Sequence, residues 1–194
     1  MRRIVILGNS GSGKSTLARR LGAKLGLPVV HLDALFYEPN WKPGDFKRFR
    51  ERAARALAGD AWIVDGNFLS LIGDLSLPPA DEILWIEQPL WLSFARAAWR
   101  CVDPRGRARA DLPRGCRDGL DRETLTFIWT FDRAARPDIE QILASIVPEK
   151  PVRRLYGDRA IAAFLTEVAP VADRGLFPPA DLRDTERPSS PGSS

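Results

Sequence analysis

The residues best equipped for chemistry lie within the first sixteen positions. Gly8-Asn9-Ser10-Gly11-Ser12-Gly13-Lys14-Ser15 fits the spacing GxxxxGK(S/T). A polyphosphate is a string of anions, and a short loop surrounds it when its backbone N–H groups all point inward. Glycines at 8, 11 and 13 permit such turns, some at positive φ, without a Cβ clash. The chain then enters a helix at Lys14, so the positive end of that helix also faces the anion. Lys14 would reach the β- and γ-phosphates, and the Ser15 hydroxyl would ligate a bridging Mg²⁺. Residues Gly8, Asn9, Ser10, Gly11, Ser12, Gly13, Lys14, Ser15 and Thr16 are therefore the candidate nucleotide-binding set.

Two carboxylates and several arginines extend the pattern. Ala61-Trp62-Ile63-Val64-Asp65 is an apolar run ending in Asp, the form in which a carboxylate holds Mg²⁺ directly or through water. Val29-Val30-His31-Leu32-Asp33 reads as another short strand ending in Asp, and the carboxyl ends of strands are where open α/β sheets bind ligands. Asp33 is thus a candidate base or binding residue. His31, the one histidine, reads as a hydrogen-bonded core residue or as a catalyst. Arg96 and Arg100 sit one helical turn apart, a spacing that repels unless an anion is shared or Arg100 lies at a helix C-terminus. Beyond them periodicity stops. Residues 103–118 alternate prolines and glycines with arginines, Arg105 and Arg109 among them. Such a segment reads either as a plain loop or as a lid that excludes water and brings guanidiniums onto the transferring phosphate.

These side chains need a scaffold, and the hydrophobic pattern supplies one. Ile4-Val5-Ile6-Leu7 is an unbroken apolar run, as in a parallel strand buried on both faces. Leu17, Leu21 and Leu25 recur at helical spacing, with Gly26 and Pro28 as stop signals. A loop from Ala34 to Asn40 leads to a helix from Asp45 to about Ala58, and Phe36, Tyr37 and Trp41 either wall an acceptor pocket there or pack as core. Ile83-Leu84-Trp85-Ile86 is a fourth strand, followed by a helix with Pro89 in its first turn and Trp91, Ala95, Ala98 and Val102 on one face. A helix from Asp121 to about Ala135 is expected to break at Pro137, before a second amphipathic piece carrying Ile139, Ile142, Leu143 and Ile146. Val152-Arg153-Arg154-Leu155-Tyr156 is a fifth strand, and Gly157-Asp158 turns into a last helix.

Composition bounds the rest. A length of 194 residues suits one α/β domain over residues 1–169, with an acceptor segment at about 34–60 and a disordered Pro/Ser-rich tail from 170 to 194. The two cysteines form no metal-binding pattern, no leader segment is visible, and no apolar run reaches the ~18 residues of a membrane span. A reduced, cytoplasmic protein without membrane partners is the expectation. The net charge of +4 admits a DNA partner, yet no helix-turn-helix, zinc finger or aromatic-interleaved basic groove accompanies it.

Together these pieces resemble the adenylate-kinase-like group of P-loop kinases over about residues 3–168, and within it the small bacterial DNA topology modulation proteins. The resemblance is carried by residues 4–16, by Asp65-Gly66, and by the Arg96 and Arg100 pair. For the subfamily it is carried by His31-Leu32-Asp33, by Trp62-Ile63-Val64-Asp65-Gly66-Asn67, and by the stretch from Asp111 to Cys116. It implies a P-loop NTPase three-layer α/β sandwich with a five-stranded parallel sheet in the order 2-3-1-4-5, flanked by helices, with an Arg-rich lid. It also implies ATP and Mg²⁺. Phe68, Leu69 and Ser70 stand where adenylate kinases carry an arginine for the acceptor phosphate, so AMP is not implied. The expected activity is phosphoryl transfer from ATP to a small acceptor, a nucleotide or a hydroxyl compound. The alternative is an ATP-binding or ATP-hydrolysing regulator acting on DNA or a protein.

Overall fold

Alternation along the buried strands assigns the two faces of the sheet. In the computed structural model, which describes residues 1–102 and 122–170, Ile4 and Ile6 point to one side and Val5 and Leu7 to the other, all at most 2% exposed. A strand buried on both faces needs a helical layer on each. The five main strands are β1 (Arg3–Gly8), β2 (Val29–His31), β3 (Trp62–Asp65), β4 (Glu82–Glu87) and β5 (Val152–Tyr156). Every pairing among them is parallel, and across the sheet they run β2, β3, β1, β4, β5, the order expected. A reversal of winding falls at β1, and it is outside the carboxyl ends of the strands at such a point that open α/β sheets bind their ligands.

One face is covered by α1 (Lys14–Leu25) and α8 (Gly157–Glu167). Leu17, Leu21 and Leu25 of α1 are buried at the predicted spacing, each burial stabilising by about 1.5–3 kcal/mol. Gly26, at φ 63, ends that helix in the left-handed conformation. The other face carries α2 (Leu32–Phe36), α3 (Phe46–Leu57), α4 (Leu69–Ser76) and α7 (Ala135–Ile146) around Trp62 and Trp85. Asp45 caps α3 by accepting a hydrogen bond from the Arg48 N–H at 2.9 Å. Beyond β4, α5 (Leu90–Val102) packs against α6 (Arg122–Thr130).

Several local expectations are corrected. Strand β2 stops at His31, and the region expected to be loop contains α2 and a two-residue antiparallel ladder, Tyr37–Glu38 with Lys42–Pro43. Asp33 therefore sits in the first turn of α2, beyond Leu32 and past the end of the strand it was expected to end. The helix expected through Ala135 ends at Thr130, and Pro137 lies in the first turn of α7, where its missing N–H breaks no bond. Helix α4 has no counterpart in the sequence reading. On α5, Trp91 and Ala95 of the predicted apolar stripe are exposed, Trp91 by 68%, while among the described side chains Ser93 and Ala97 are the buried positions. The expected lid at about 103–118 and the tail beyond residue 170 lie outside the described residues. Among the described residues no helix is long and apolar enough to cross a membrane.

Candidate functional site

The turn from β1 into α1 has the conformation that its glycines permit. Gly8, Gly11 and Gly13 stand at φ 143, 76 and 101. At the first two, space is as restrictive as conformation: a Cβ on Gly8 would lie 2.5 Å from the Ile86 carbonyl oxygen, and one on Gly11 2.6 Å from that of Ser93. The loop is thus wedged beneath the end of β4 and the first turns of α5. Gly13 is the N-cap of α1, yet no side chain caps the helix and no acidic residue occupies its first turn. An anion is the partner such an end lacks.

Three side chains fasten the loop. The Asn67 amide accepts from the Gly8 N–H at 3.2 Å and donates to the Gly8 carbonyl at 2.7 Å, fixing the first glycine at both of its polar atoms. Asn9 donates to the Ile128 carbonyl of α6 at 3.0 Å while its own carbonyl oxygen accepts from Ser10 N–H at 2.7 Å. Lys14 folds back across the loop, its Nζ 2.9 Å from the carbonyl oxygens of both Gly8 and Asn9. The ammonium is thereby held at the loop itself. Ser12 is fully buried, and its Oγ has no hydrogen-bond partner. A buried hydroxyl without a partner costs free energy, and an anion in the cradle could accept a hydrogen bond from it. The signal for Asn67 was available in the sequence only as the residue following Asp65-Gly66.

Asp65 ends β3 and is 5% exposed. It stands in register with His31 on one neighbouring strand and with Ile6 on the other, and His31 Nδ1 is 2.6 Å from its Oδ1. His31 is therefore a hydrogen-bonded residue as one reading had it, with the candidate metal ligand as its partner. Among the described residues no group of three or more His, Cys, Asp or Glu side chains is placed to hold a metal by itself. Mg²⁺ does not require one, since it keeps several waters and binds through one or two protein ligands plus substrate phosphates. The hydroxyl of Ser15 and the buried, largely uncompensated Asp65 carboxylate fit that donor set.

Arg96 lies beside the loop, with Nη1 3.4 Å from the Ser12 carbonyl oxygen and 3.7 Å from where a Cβ on Gly13 would stand. Its Nη2 donates to both oxygens of Asp158, at 2.6 and 2.7 Å, and Gln88 also donates to Asp158 at 2.9 Å. The Arg96 guanidinium holds the Asp158 carboxyl below the usual carboxylate range, partly offset by desolvation. The Arg100 side chain and all of Arg105 and Arg109 lie outside the described residues. The aromatics around α2 touch one another in turn: Trp41 on Tyr37, Tyr37 on Phe36, and Phe36 on Phe46, Phe49 and Phe68, at centroid distances of 5.0–5.7 Å. Phe68, in the position where an acceptor arginine was missed, belongs to this cluster.

No family model and no curated protein matches the chain. Solved structures do. A gluconokinase from Sinorhizobium meliloti 1021 is similar at 18% identity and a TM-score of 0.50, over 87% of this chain and 93% of that one. A sugar kinase from Janibacter sp. HTCC2649 is similar at 19% identity and a TM-score of 0.46, over 86% and 93% respectively. At such identity the likeness to the gluconokinase speaks to the fold alone, a five-stranded parallel sheet between two helical layers.

Proposed function

We propose that the protein is an ATP-dependent phosphotransferase that binds Mg-ATP at the loop of residues 8–16 and passes the γ-phosphoryl group to a small acceptor. The observation that carries this reading is the cradle: three glycines at positive φ, an uncapped helix N-terminus and the buried, unpartnered Ser12 hydroxyl around the Lys14 ammonium. Metal bound there would neutralise phosphate charge. In this reading Ser15 and Asp65 hold it, and Lys14 and Arg96 meet the charge that spreads over the transferring group. In this reading Arg100, Arg105 and Arg109 are further candidates to meet that charge. Rate comes mainly from positioning and charge neutralisation.

The acceptor segment at about 34–60 and Asp33 at the start of α2 supply the second half of the site. A phosphate acceptor is already ionised, whereas a hydroxyl acceptor gains about 10²–10⁴ from a general base, the role assigned to Asp33. A similar structure is described as a gluconokinase, which favours placing hydroxyl compounds beside nucleotides in the acceptor panel. The finer resemblance, to adenylate-kinase-like proteins and the topology modulation subfamily, rests on the sequence motifs around His31, Asp65 and Asp111.

The test is direct transfer. Labelled ATP and Mg²⁺ are incubated with the protein and a panel of nucleosides, nucleoside monophosphates, sugars and sugar acids. A labelled acceptor supports the reading; label released only as free phosphate favours the ATP-hydrolysing regulator instead. Replacing Arg96 and Arg100 together by Ala is expected to cut turnover sharply, and unchanged kinetics would remove both from the site.

A further inference from the structure

The carboxylate at the end of β3 has unusual surroundings for a group that is 5% exposed. An ionised carboxylate removed from water is costly unless it is paired and hydrogen-bonded. Among the described residues Asp65 makes no ion pair with lysine or arginine, and its one side-chain hydrogen bond is the contact of Oδ1 with His31 Nδ1 at 2.6 Å. Its second oxygen, Oδ2, makes no hydrogen bond among those residues. The pair is built into the sheet: His31 and Asp65 are register partners on β2 and β3, so both side chains leave the same face, the one that α1 covers. His31 is itself largely enclosed, its side chain 15% exposed.

An ionised carboxylate only accepts hydrogen bonds, so the hydrogen on Nδ1 is donated to Oδ1 whatever the charge on the ring. This bond fixes the rotation of the carboxylate and takes up one of its two oxygens. We propose that His31 is a positioning residue for Asp65: it holds Oδ1 so that Oδ2 is the oxygen offered to the magnesium of Mg-ATP, directly or through a metal-bound water. The proposal rests on the phosphotransferase reading and adds to it a residue outside the phosphate loop. Partners that orient a metal-ligating carboxylate matter to affinity nearly as much as the ligand, and removing one weakens metal binding by roughly 10–100-fold.

The test reads metal dependence of binding instead of turnover. The Kd for ATP is measured by calorimetry across a series of Mg²⁺ concentrations, and in EDTA, for the wild type and for His31→Ala, His31→Leu and His31→Asn. His31→Ala removes the donor and leaves space, His31→Leu removes it and keeps the bulk, and His31→Asn keeps an N–H at about the position of Nδ1. The expected result is that the Mg²⁺ concentration needed for tight ATP binding rises about tenfold or more in the Ala and Leu variants and returns most of the way in the Asn variant. ATP binding in EDTA, which depends on the loop and Lys14, is expected to stay unchanged in all four. A merely structural histidine would lower the melting temperature and leave the Mg²⁺ series in place, and that outcome overturns the proposal alone. A wild type whose ATP affinity ignores Mg²⁺ overturns the phosphotransferase reading and this proposal with it.

Discussion

Two lysines grip backbone carbonyls at opposite ends of the same sheet. At the carboxyl end Lys14 donates to Gly8 and Asn9; at the amino end Lys150 donates to Leu77, Pro78 and Ala80 at 3.0, 2.8 and 2.6 Å. The bonds are alike and the surroundings are not. Around Lys150 polar groups answer one another: the Asp81 carboxylate accepts from the backbone N–H groups of Arg2 and Arg3, which hold its carboxyl below the usual range. Arg153 on that side is shared between Glu82 and Glu167 and lies 5.1 Å from the centre of the Phe164 ring. A cleft of about 390 Å³ opens there, lined by Met1, Glu82 and Arg153 among others, with Arg153 paired to Glu82 and Glu167. Around Lys14, in contrast, lie an uncapped helix, an unpartnered buried hydroxyl and a buried carboxylate held by a single histidine. Unmet polar demand, and not the size of a cavity, distinguishes a site from a surface.

The comparison can be broken at either end. Lys14→Ala is expected to lower turnover by about 10²–10³-fold, as for loss of a donor to transition-state charge. Its melting temperature should move little, and a kinetically normal Lys14→Ala enzyme would erase the distinction. Lys150→Ala should do the reverse, destabilising the fold by about 1–3 kcal/mol as three carbonyls lose a charged donor, with Mg-ATP affinity unchanged. Denaturant titration and calorimetry on one preparation check both statements.

Two glycines flanking α1 sharpen the contrast. Gly11→Ala must adopt φ 76 with a Cβ 2.6 Å from the Ser93 carbonyl oxygen, so about 1–3 kcal/mol of strain and a weaker ATP affinity are expected. Gly26→Ala, at φ 63 in open space at the other end of the helix, should cost about 1 kcal/mol with ATP affinity intact. Equal loss of affinity in both would mean that the loop senses the helix as a whole.

The smallest effect concerns Asp158. Its carboxyl titrates lower in the folded chain than in the unfolded one, so its bond to Arg96 stabilises fully above the unfolded pKa of about 4 and is lost as pH falls through the folded value. Its side chain is 63% exposed, so solvent screening keeps the contribution below about 1 kcal/mol. Melting curves from pH 6 down to 3 should fall slightly less steeply for Asp158→Asn than for the wild type; identical slopes would show that the ion pair adds nothing to stability.

The elements legible in advance were those where one signal dominates. Unbroken apolar runs marked β1, β3 and β4, and the Leu17, Leu21, Leu25 spacing with Gly26 marked α1. Helix α4, Leu-Ser-Leu-Ile-Gly-Asp-Leu-Ser, escaped because it is short and carries a glycine, which packs against Ile142 and Ile146 of α7. Asp33 was misplaced because the apolar run of β2 continues through Leu32 while the strand does not. Trp91 misled because an aromatic residue at helical spacing with apolar neighbours usually marks the core face, and here small residues, Ser93 and Ala97, pack inward instead. Of the site, the loop and Asp65 could be read from motif and spacing alone. The Asn67 clamp on Gly8 and the His31 contact with Asp65 could not, because both join distant positions that only strand register brings together.

Calorimetric titration of Mg-ATP into the folded wild-type protein, beside Lys14→Ala, addresses the phosphate cradle without reference to any acceptor. The structure predicts saturable heat for the wild type and a large loss of affinity for the variant. Absence of binding to the wild type, or equal binding to both, would contradict it.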